Sequence, residues 1–189
     1  SNVKKYMLRL FLFAIISEIP FNLIMGSSVF YPFHQNVLWT FLLGVLSIQI
    51  IEKAKKKQKK WISFFVVCLV LLMDFLLGTI TMVDYNAAGI LTVLLFYFFR
   101  KKTWISFAAQ LVGLYYLNVV MLGNLYYPVT ILGHHFEIAQ QSFALLALIP
   151  IWLYHGEQGY HSKWFKYFCY AFYPVHFLIL FVIWQWRIR

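Results

Sequence analysis

Charge is what this sequence lacks, and acidic charge most of all. Charged residues make up 12% of the 189 residues, and Asp and Glu together number 6. A soluble domain usually carries about 25% charge. Apolar residues account for 62% of the chain, more than a soluble core of this size can bury, so lipid is the expected solvent for these side chains. The composition therefore predicts an integral membrane protein.

Cysteine and linker sequence are also scarce. Both cysteines, Cys68 and Cys169, fall within apolar runs, which is not the pattern of a disulfide framework or of a zinc site. Because no linker, low-complexity tract or fixed-period repeat divides the chain, residues 1–189 are interpreted as a single transmembrane domain. The sequence starts at Ser1 within a basic helix start, so we expect further residues to precede it in the natural protein.

Long apolar runs are what the sequence does contain. Backbone groups in hydrocarbon must be satisfied within their own segment, so these runs are predicted to be helices, and a span needs roughly 17–25 apolar residues. The expected fold is all-α, a polytopic transmembrane helix bundle with about seven spans. The predicted spans are residues 6–25, 37–52, 61–83, 86–99, 103–122, 138–154 and 167–186.

Basic residues stand in blocks between the runs, and these blocks predict the orientation. With the N-terminal end in the cytoplasm, nearly all of the 16 lysines and arginines fall on the cytoplasmic side. They lie in the N-terminal segment and in loops 53–60, 100–102 and 155–166. The positive-inside rule favours this arrangement because the outer connections carry no basic residue. Those connections are residues 26–36, 84–86 and 123–137.

The net charge of +10 also bears on partners. Basic blocks beside membrane spans are explained by attraction to anionic lipid, so the expected partner is the lipid bilayer and no nucleic acid is predicted. Arg187 and Arg189 are exceptions, because they follow the last predicted span on the outer side. That span is expected either to be re-entrant or to end among the outer headgroups.

Polar residues within the spans are candidates for chemistry, since lipid excludes them unless they are paired or functional. Asp74 lies near the middle of the third predicted span, in LVLLMDFLLG. A carboxylate there costs about 2.5–3.5 kcal/mol on insertion scales. Asp74 is predicted either to bind a proton or substrate, or to be neutral and hydrogen-bonded to a neighbouring helix. Both interpretations remain open.

A second polar group is expected at the outer ends of the helices. Glu18 and Asn22 are four residues apart on the first span and hence share a face. The flanking connections add His34, Gln35, Asn36, Asp84, Tyr85 and Asn86. Histidine beside a carboxylate is what general acid–base catalysis at an amine or hydroxyl requires. The alternative is that each of these residues merely contacts interfacial water.

Two histidine-bearing segments lie outside that group. His176 falls within the last span, where it shares a face with Tyr173, and Pro174 frees a backbone carbonyl one turn earlier. His176 is therefore predicted to be functional, the alternative being a hydrogen bond to a carbonyl. The stretch GHHFEIAQQ, residues 133–141, contains ligand-type residues for zinc. Ligands so close in sequence rarely complete a site, so no metal is expected.

Five sequence blocks, in order along essentially the whole chain, carry a family resemblance. They are NVKKYMLRLFLFAIISEIPFNL, NVLWTFLLGVLSI, DYNAAGILTVLLFYFFR, QSFALLALIPIWLYHGEQG and KYFCYAFYPVHFLILFVI. These blocks resemble the TraX family of bacterial integral membrane proteins. The family is named for the conjugal-transfer protein that acetylates the N-terminus of pilin.

The resemblance implies a multi-pass acyltransferase of the bacterial inner membrane, with cytoplasmic acetyl-CoA as donor. The acceptor would be an amine or hydroxyl of an envelope or pilin-type substrate. His34, Asp84 and His176 lie in or beside the matching blocks and are the expected catalytic residues, a histidine acting as base and Asp84 orienting it. The expected substrate-binding residues are Glu18, Asn22, Asn36, Asn86 and Asp74.

One departure from the family pattern qualifies these expectations. Family members begin with one or two further helices that include an Asp-His pair, and this sequence does not contain them. If that pair is catalytic, the chain holds only half of the site.

A small transporter or flippase, with Asp74 and Glu18 as coupling residues, is the main alternative function. A non-catalytic envelope assembly protein is another. Against transport, no paired Gly/Pro-interrupted spans recur in two halves.

Overall fold

Helices make up most of the structure. A computed structural model of the protein describes residues 2–131, 133–157, 159–160 and 162–188. The α-helices are α1 (Val3–Gly26), α2 (Val37–Lys57), α3 (Lys60–Ile80), α4 (Asn86–Phe98), α5 (Trp104–Tyr115), α6 (Leu148–Leu153) and α7 (Lys163–Ile188). A π-helical turn (Tyr116–Met121) continues α5, and a 3₁₀ helix (Gln140–Ala147) leads into α6. The predicted all-α helix bundle is confirmed.

Five helices in the described part of the chain are long and apolar enough to cross a membrane, so the protein is a multi-pass membrane protein. They are α1, α2, α3, α5 together with the π-helical turn that continues it, and α7, and they correspond to the first, second, third, fifth and last predicted spans. The fourth, α4, has 13 residues. At 1.5 Å per residue it reaches roughly 20 Å, short of a hydrocarbon core of about 30 Å.

The predicted span over residues 138–154 is wrong as a single long helix. The segment begins at the end of a strand, continues as the 3₁₀ helix and ends in the six-residue α6. Pro150 lies inside α6, where its ring removes a backbone donor and crowds the preceding turn. The polar Gln140, Gln141 and Ser142 at its start also do not favour a helix buried in lipid.

The predicted outer loop over residues 123–137 is largely a β-hairpin. Strands β1 (Tyr126–Ile131) and β2 (His134–Ala139) pair antiparallel. Gly133 has a φ of 81° in the connection, a left-handed conformation that glycine adopts without strain. The Thr130 hydroxyl and His135 Nδ1 lie 2.9 Å apart across the strands.

Small residues let α2, α3 and α4 approach closely. A Cβ at Gly78 of α3 would lie 2.7 Å from the Ala87 Cα of α4, and one at Gly44 of α2 would lie 2.8 Å from the Val93 side chain. Such contacts are typical of helix packing in membranes, where van der Waals contact replaces the hydrophobic effect. These three helices therefore form the tightest part of the bundle.

Helices α1 and α7 run side by side in the same direction. Arg9 donates to the Tyr170 hydroxyl at 2.9 Å near their starts, and the rings of Phe21 and Phe177 meet further along. This direction is what any odd number of membrane crossings requires of the first and last spans. Helix α7 continues through Pro174 without a break, which removes the re-entrant alternative for the last span.

The loop between α1 and α2 folds back along α1. Its last residue, Asn36, caps α2 by accepting from the Leu38 amide at 3.1 Å. The same side chain donates to the Ala14 carbonyl at 2.9 Å, near the middle of α1. The start of α2 is thereby held beside the centre of α1 and not beside its end. This return of the chain positions the candidate site.

Candidate functional site

A short backbone pairing brings the two loops of the site together. Gln35, at the end of the first loop, forms an isolated parallel bridge with Val83, which follows α3. The Gln35 amide donates to the Met82 carbonyl, and the Asp84 amide donates to the Gln35 carbonyl, both at 2.9 Å. The bridge fixes the backbone at Gln35 and Val83. It thereby holds the adjacent residues, His34 and Asp84, with their side chains directed towards each other.

His34 and Asp84 form a hydrogen-bonded pair, hereafter the His34–Asp84 pair. His34 Nε2 lies 3.2 Å from Asp84 Oδ1, and the side chains are 35% and 23% exposed. Phe21 of α1 stacks on the imidazole with ring centroids 5.5 Å apart. Burial raises the pKa of the Asp84 carboxyl above its ordinary value, although the hydrogen bond and charge of His34 act in the opposite direction.

The turn that carries Asp84 has an unusual backbone. Met82, Tyr85 and Asn86 all have positive φ, at 51°, 61° and 47°. Non-glycine residues seldom adopt this conformation, and such strain is concentrated at functional sites. Thr40 of α2 secures the turn by donating to the Asp84 carbonyl at 2.8 Å. The turn is therefore held in a strained form by its neighbours.

Tyr85 and Asn86 complete this turn in different ways. Burial, with a smaller contribution from the Asp84 charge, raises the pKa of the Tyr85 hydroxyl above its ordinary value. The backbone amide of Asn86 donates to the Val83 carbonyl at 2.7 Å, and its side chain is exposed. The structure thus places Asn86 at the edge of the site, where its backbone starts α4.

Glu18 forms a second group beside the start of α2. Its Oε2 accepts from the Trp39 indole at 3.0 Å and from the Asn36 amide nitrogen. Glu18 lies eight residues before the end of α1, roughly 12 Å along the helix axis. The group expected at the outer ends of the helices does lie at the starts of α2 and α4, but Glu18 is deeper along α1 because the loop before α2 returns to mid-helix.

Three polar atoms on adjacent turns of α1 have no hydrogen-bond partner among the described residues. They are Ser17 Oγ, Glu18 Oε1 and Asn22 Oδ1, and all three atoms are buried. Ser17 is fully buried and Asn22 is 3% exposed. The Asn22 amide nitrogen donates to the Val29 carbonyl at 3.2 Å, so only its oxygen remains free. Buried polar atoms in native proteins are usually paired, so this part of the bundle is suited to a polar ligand or water.

Helix α7 contributes Tyr173 to the site. Its side chain lies close to the backbone amide of Val37 and within electrostatic range of Glu18 and Asp84. Tyr173 therefore lies near both the His34–Asp84 pair and the Glu18 group. Residues from α1, α2, the turn before α4 and α7 converge here, although they are widely separated in sequence.

His176 occupies a different position on α7. Its Nδ1 lies 3.0 Å from the Phe172 carbonyl of its own helix, and its ring contacts Phe172, Tyr173 and Phe177. None of its described contacts reaches His34 or Asp84. The backbone hydrogen bond agrees with the simpler of the two interpretations drawn from the sequence. The structure thus brings together two of the three expected catalytic residues.

Asp74 is also separate from the site. It is 3% exposed, and its Oδ1 accepts from the Ser47 hydroxyl of α2 at 2.7 Å. Its other oxygen has no partner among the described residues. Because Asp74 precedes the end of α3 by six residues, its carboxyl lies roughly 9 Å down the helix from the turn that carries Asp84. Its contacts link α2 to α3.

Sequence reasoning missed several residues of the site. Thr40 follows Asn36 by four residues and so shares its face of α2, a signal that was available. The contacts of Phe21, Trp39 and Tyr173 depend on how helices pack, which no local pattern in one sequence reports. In the described part of the chain, no three His, Cys, Asp or Glu side chains lie close enough to hold a metal ion.

Comparison with known proteins gives one match. A family model described as TraX protein matches residues 1–184, nearly the whole chain. No curated protein and no solved structure is significantly similar to the chain.

Proposed function

The chain belongs to the TraX family, and we propose that it is a membrane acyltransferase in which His34 of the His34–Asp84 pair is the general base. The observation that carries the proposal is the pair itself. Its 3.2 Å contact joins an imidazole to a half-buried carboxylate, on a strained turn beside buried polar atoms that lack partners. This is the arrangement of a base whose orientation is set by a third group.

In the proposed reaction the acceptor attacks the thioester carbonyl of acetyl-CoA. A bond forms between the acceptor nitrogen and the acetyl carbon, and the carbon–sulfur bond breaks. His34 accepts the proton that the amine loses and returns it to the departing CoA thiolate. Since Asp84 contacts Nε2, it fixes the tautomer that leaves Nδ1 for the acceptor, and its charge stabilises the imidazolium.

The acceptor class follows from the unpartnered atoms of α1. Ser17 Oγ, Glu18 Oε1 and Asn22 Oδ1 offer three hydrogen-bond acceptors, one of them on a carboxylate. A buried carboxylate in a membrane protein is strongly favoured when a cation lies beside it. An ammonium group supplies both the charge and the donors when the acceptor binds, whereas a hydroxyl supplies one donor and no charge. The bound ammonium ion then loses one proton to water, and the neutral amine that results attacks the thioester. We therefore favour an amine over a hydroxyl as acceptor, in an envelope or pilin-type substrate.

The orientation expected from the basic residues is compatible with this chemistry. With the basic blocks in the cytoplasm of a bacterial cell, acetyl-CoA would approach from the inner face. Lys55, Lys56 and Lys57 lie in the last turn of α2, where they also complement the helix dipole. The acceptor amine would then reach the pair from the membrane or from the outer face.

The test is acetyl transfer in liposomes that contain the full-length protein, labelled acetyl-CoA and a primary amine. Variants His34→Ala and Asp84→Asn are compared with His155→Ala, an exposed histidine in the loop before α7. We expect transfer by the wild type and by His155→Ala, and its loss in the two pair variants. Absence of CoA binding and turnover in the wild type would overturn the proposal in favour of a transporter, flippase or assembly protein. Equal transfer by all four proteins would assign the activity to other residues.

A further inference from the structure

A cavity of about 550 Å³ lies beside the candidate site, among α1, α2, α4, the π-helical turn and the 3₁₀ helix. Its volume falls within the range of small-molecule pockets, about 300–1,000 Å³. Val45 of α2 and the side chains of Val93 and Phe96 of α4 form an apolar wall. A cavity with such walls is suited to hydrocarbon and not to a hydrated ion or a water column.

One end of this cavity adjoins the turn that carries Asp84. Thr40 and Tyr85 line the cavity, and both contact the Asp84 backbone, Thr40 through its hydrogen bond to the carbonyl and Tyr85 as the next residue in the chain. Gly89 also lines the cavity, and a Cβ there would lie 3.0 Å from the Asp84 carbonyl. Val37 lines the same end and lies close to Tyr173. The cavity and the site thus share a wall.

Part of the cavity lining belongs to the lateral surface of the bundle. Phe41, which lines the cavity, is 42% exposed and lies within the membrane-spanning α2. Such a surface faces lipid in a bilayer, which favours a molecule dissolved in the membrane as the occupant. A soluble substrate would instead need a path from water.

Polar groups of the lining are few, and two of them come from irregular helices. Asn118 lies in the π-helical turn and lines the cavity, and its amide nitrogen donates to the Leu114 carbonyl at 3.0 Å. Gln141 lies in the 3₁₀ helix, directly after the β-hairpin. Single π-helical turns are frequent at functional sites because they redirect a side chain.

We propose that this cavity binds the aliphatic chain of the acceptor, which is therefore an amphipathic amine taken from the bilayer. The inference rests on the function proposed above and adds a substrate class to it. The head group lies at the His34–Asp84 pair and the chain lies along Val45, Val93 and Phe96. An acetyl group is too small to require such a cavity, and the donor's nucleotide portion is too polar for these walls.

A matched pair of variants isolates the cavity. Ala144 of the 3₁₀ helix lines the cavity and is half-buried, whereas Ala147 of the same helix is exposed and lies outside it. Ala144→Phe fills the cavity, and Ala147→Phe adds the same ring to the surface. Neither residue contacts the His34–Asp84 pair, so both variants retain the proposed catalytic residues.

Photolabelling measures binding independently of turnover. The probe is a long-chain alkylamine with a diazirine at mid-chain, applied to the full-length protein in liposomes, and a diazirine-bearing phosphatidylcholine reports ordinary lipid contact. We expect the amine to label the cavity segments of α2 and α4, with labelling reduced about tenfold in Ala144→Phe and unchanged in Ala147→Phe. Amine labelling that follows the phosphatidylcholine pattern, or that is equal in the two variants, would overturn the proposal.

Kinetics with two acceptors separates this inference from the proposed function. For the long-chain amine, Ala144→Phe should raise KM about tenfold and leave kcat nearly unchanged. The reason is that filling the cavity weakens binding of the substrate and of the transition state equally. For ethylamine the two alanine variants should behave alike. If acetyl transfer occurs but Ala144→Phe does not alter KM, the cavity is not the chain site. If no transfer occurs with either amine, the proposed acyltransferase function fails, whatever the labelling shows.

Discussion

Two carboxylates stand within the apolar bundle, and their surroundings differ. Asp74 contacts one side chain, Ser47, between two regular helices. Glu18 contacts Trp39 of α2 and Asn36, which caps that helix, and it lies near Tyr173. An acidic residue in a span is a functional candidate by default, yet only one of these two lies where several elements converge. Position within a span does not distinguish the two carboxylates, but the contacts around them do.

The backbone near the candidate site also differs from the backbone around Asp74. Around Asp84 three non-glycine residues have positive φ, and two loops are joined by a single bridge. Around Asp74 the helix α3 is regular, and small residues such as Gly78 pack it against α4. Strain is retained where the surrounding structure and function require it, whereas close packing serves stability. The region around Asp84 is thus arranged for chemistry, and the region around Asp74 for close packing of the helices.

The largest effect is expected from removing the base. His34→Ala should lower the rate of acetyl transfer by about 10²–10⁴-fold, the usual contribution of a positioned acid–base group. Initial rates with labelled acetyl-CoA measure it. His176→Ala is the matched comparison, since His176 hydrogen-bonds to its own helix, and its rate should stay within about threefold of wild type. The reverse ranking would move the active site to α7.

Changing the proposed amine contact should have an intermediate effect. Glu18→Gln keeps an oxygen that can accept from Trp39 but removes the charge that pairs with an ammonium group. We expect KM for the amine to rise about tenfold to a hundredfold, with a smaller change in kcat. Titration of the amine at saturating acetyl-CoA gives both constants. An unchanged KM would show that Glu18 does not bind the acceptor.

Asp84→Asn allows a test through the pH dependence of stability. Because burial raises the pKa of Asp84, the folded chain holds this proton more tightly than the unfolded chain does. The wild type should therefore gain stability relative to Asp84→Asn as the pH falls from neutral towards the ordinary carboxyl pKa of about 3.9. Thermal unfolding of both proteins in detergent measures the difference across that range. A gain in the opposite direction would mean that the contact with His34 outweighs burial.

The smallest effect on activity is expected at Asp74. Asp74→Asn retains a group that can bond to Ser47, so acetyl transfer should remain within about twofold of wild type. Asp74→Leu leaves the Ser47 hydroxyl without its partner and should cost about 1–3 kcal/mol of stability. Activity assays and unfolding in detergent separate the two quantities. A large loss of transfer in Asp74→Asn at normal stability would contradict the distinction drawn between the two carboxylates.

The helical architecture could be predicted from the sequence because hydrocarbon allows few solutions. Long apolar runs must be helices, and five of the predicted spans appear at nearly their expected positions. Residues 138–154 were misassigned because hydrophobicity alone does not reveal how Pro150 and a preceding polar segment shape the backbone. The hairpin at Tyr126–Ala139 was missed because its strands are short and its turn contains a glycine that a loop also favours.

The site could be predicted only in part. His34 and Asp84 were expected as candidates because histidine and carboxylate flank successive spans, and the structure joins them. Their bond depends on the bridge between Gln35 and Val83, a contact that no spacing rule implies. Glu18 and Asn36 were expected in one group, but their depth beside mid-α1 follows from the returning loop. Tyr173 could not be distinguished from His176 without the packing of α7.

The most direct test of the pair is a double-mutant cycle of His34→Ala and Asp84→Ala. Acetyl transfer in liposomes is measured for the wild type, the two single variants and the double variant. If His34 acts through its bond to Asp84, the double variant loses no more activity than His34→Ala alone, because the unit has already been removed. Losses that multiply in the double variant would show two independent residues and would contradict the assignment of a catalytic pair.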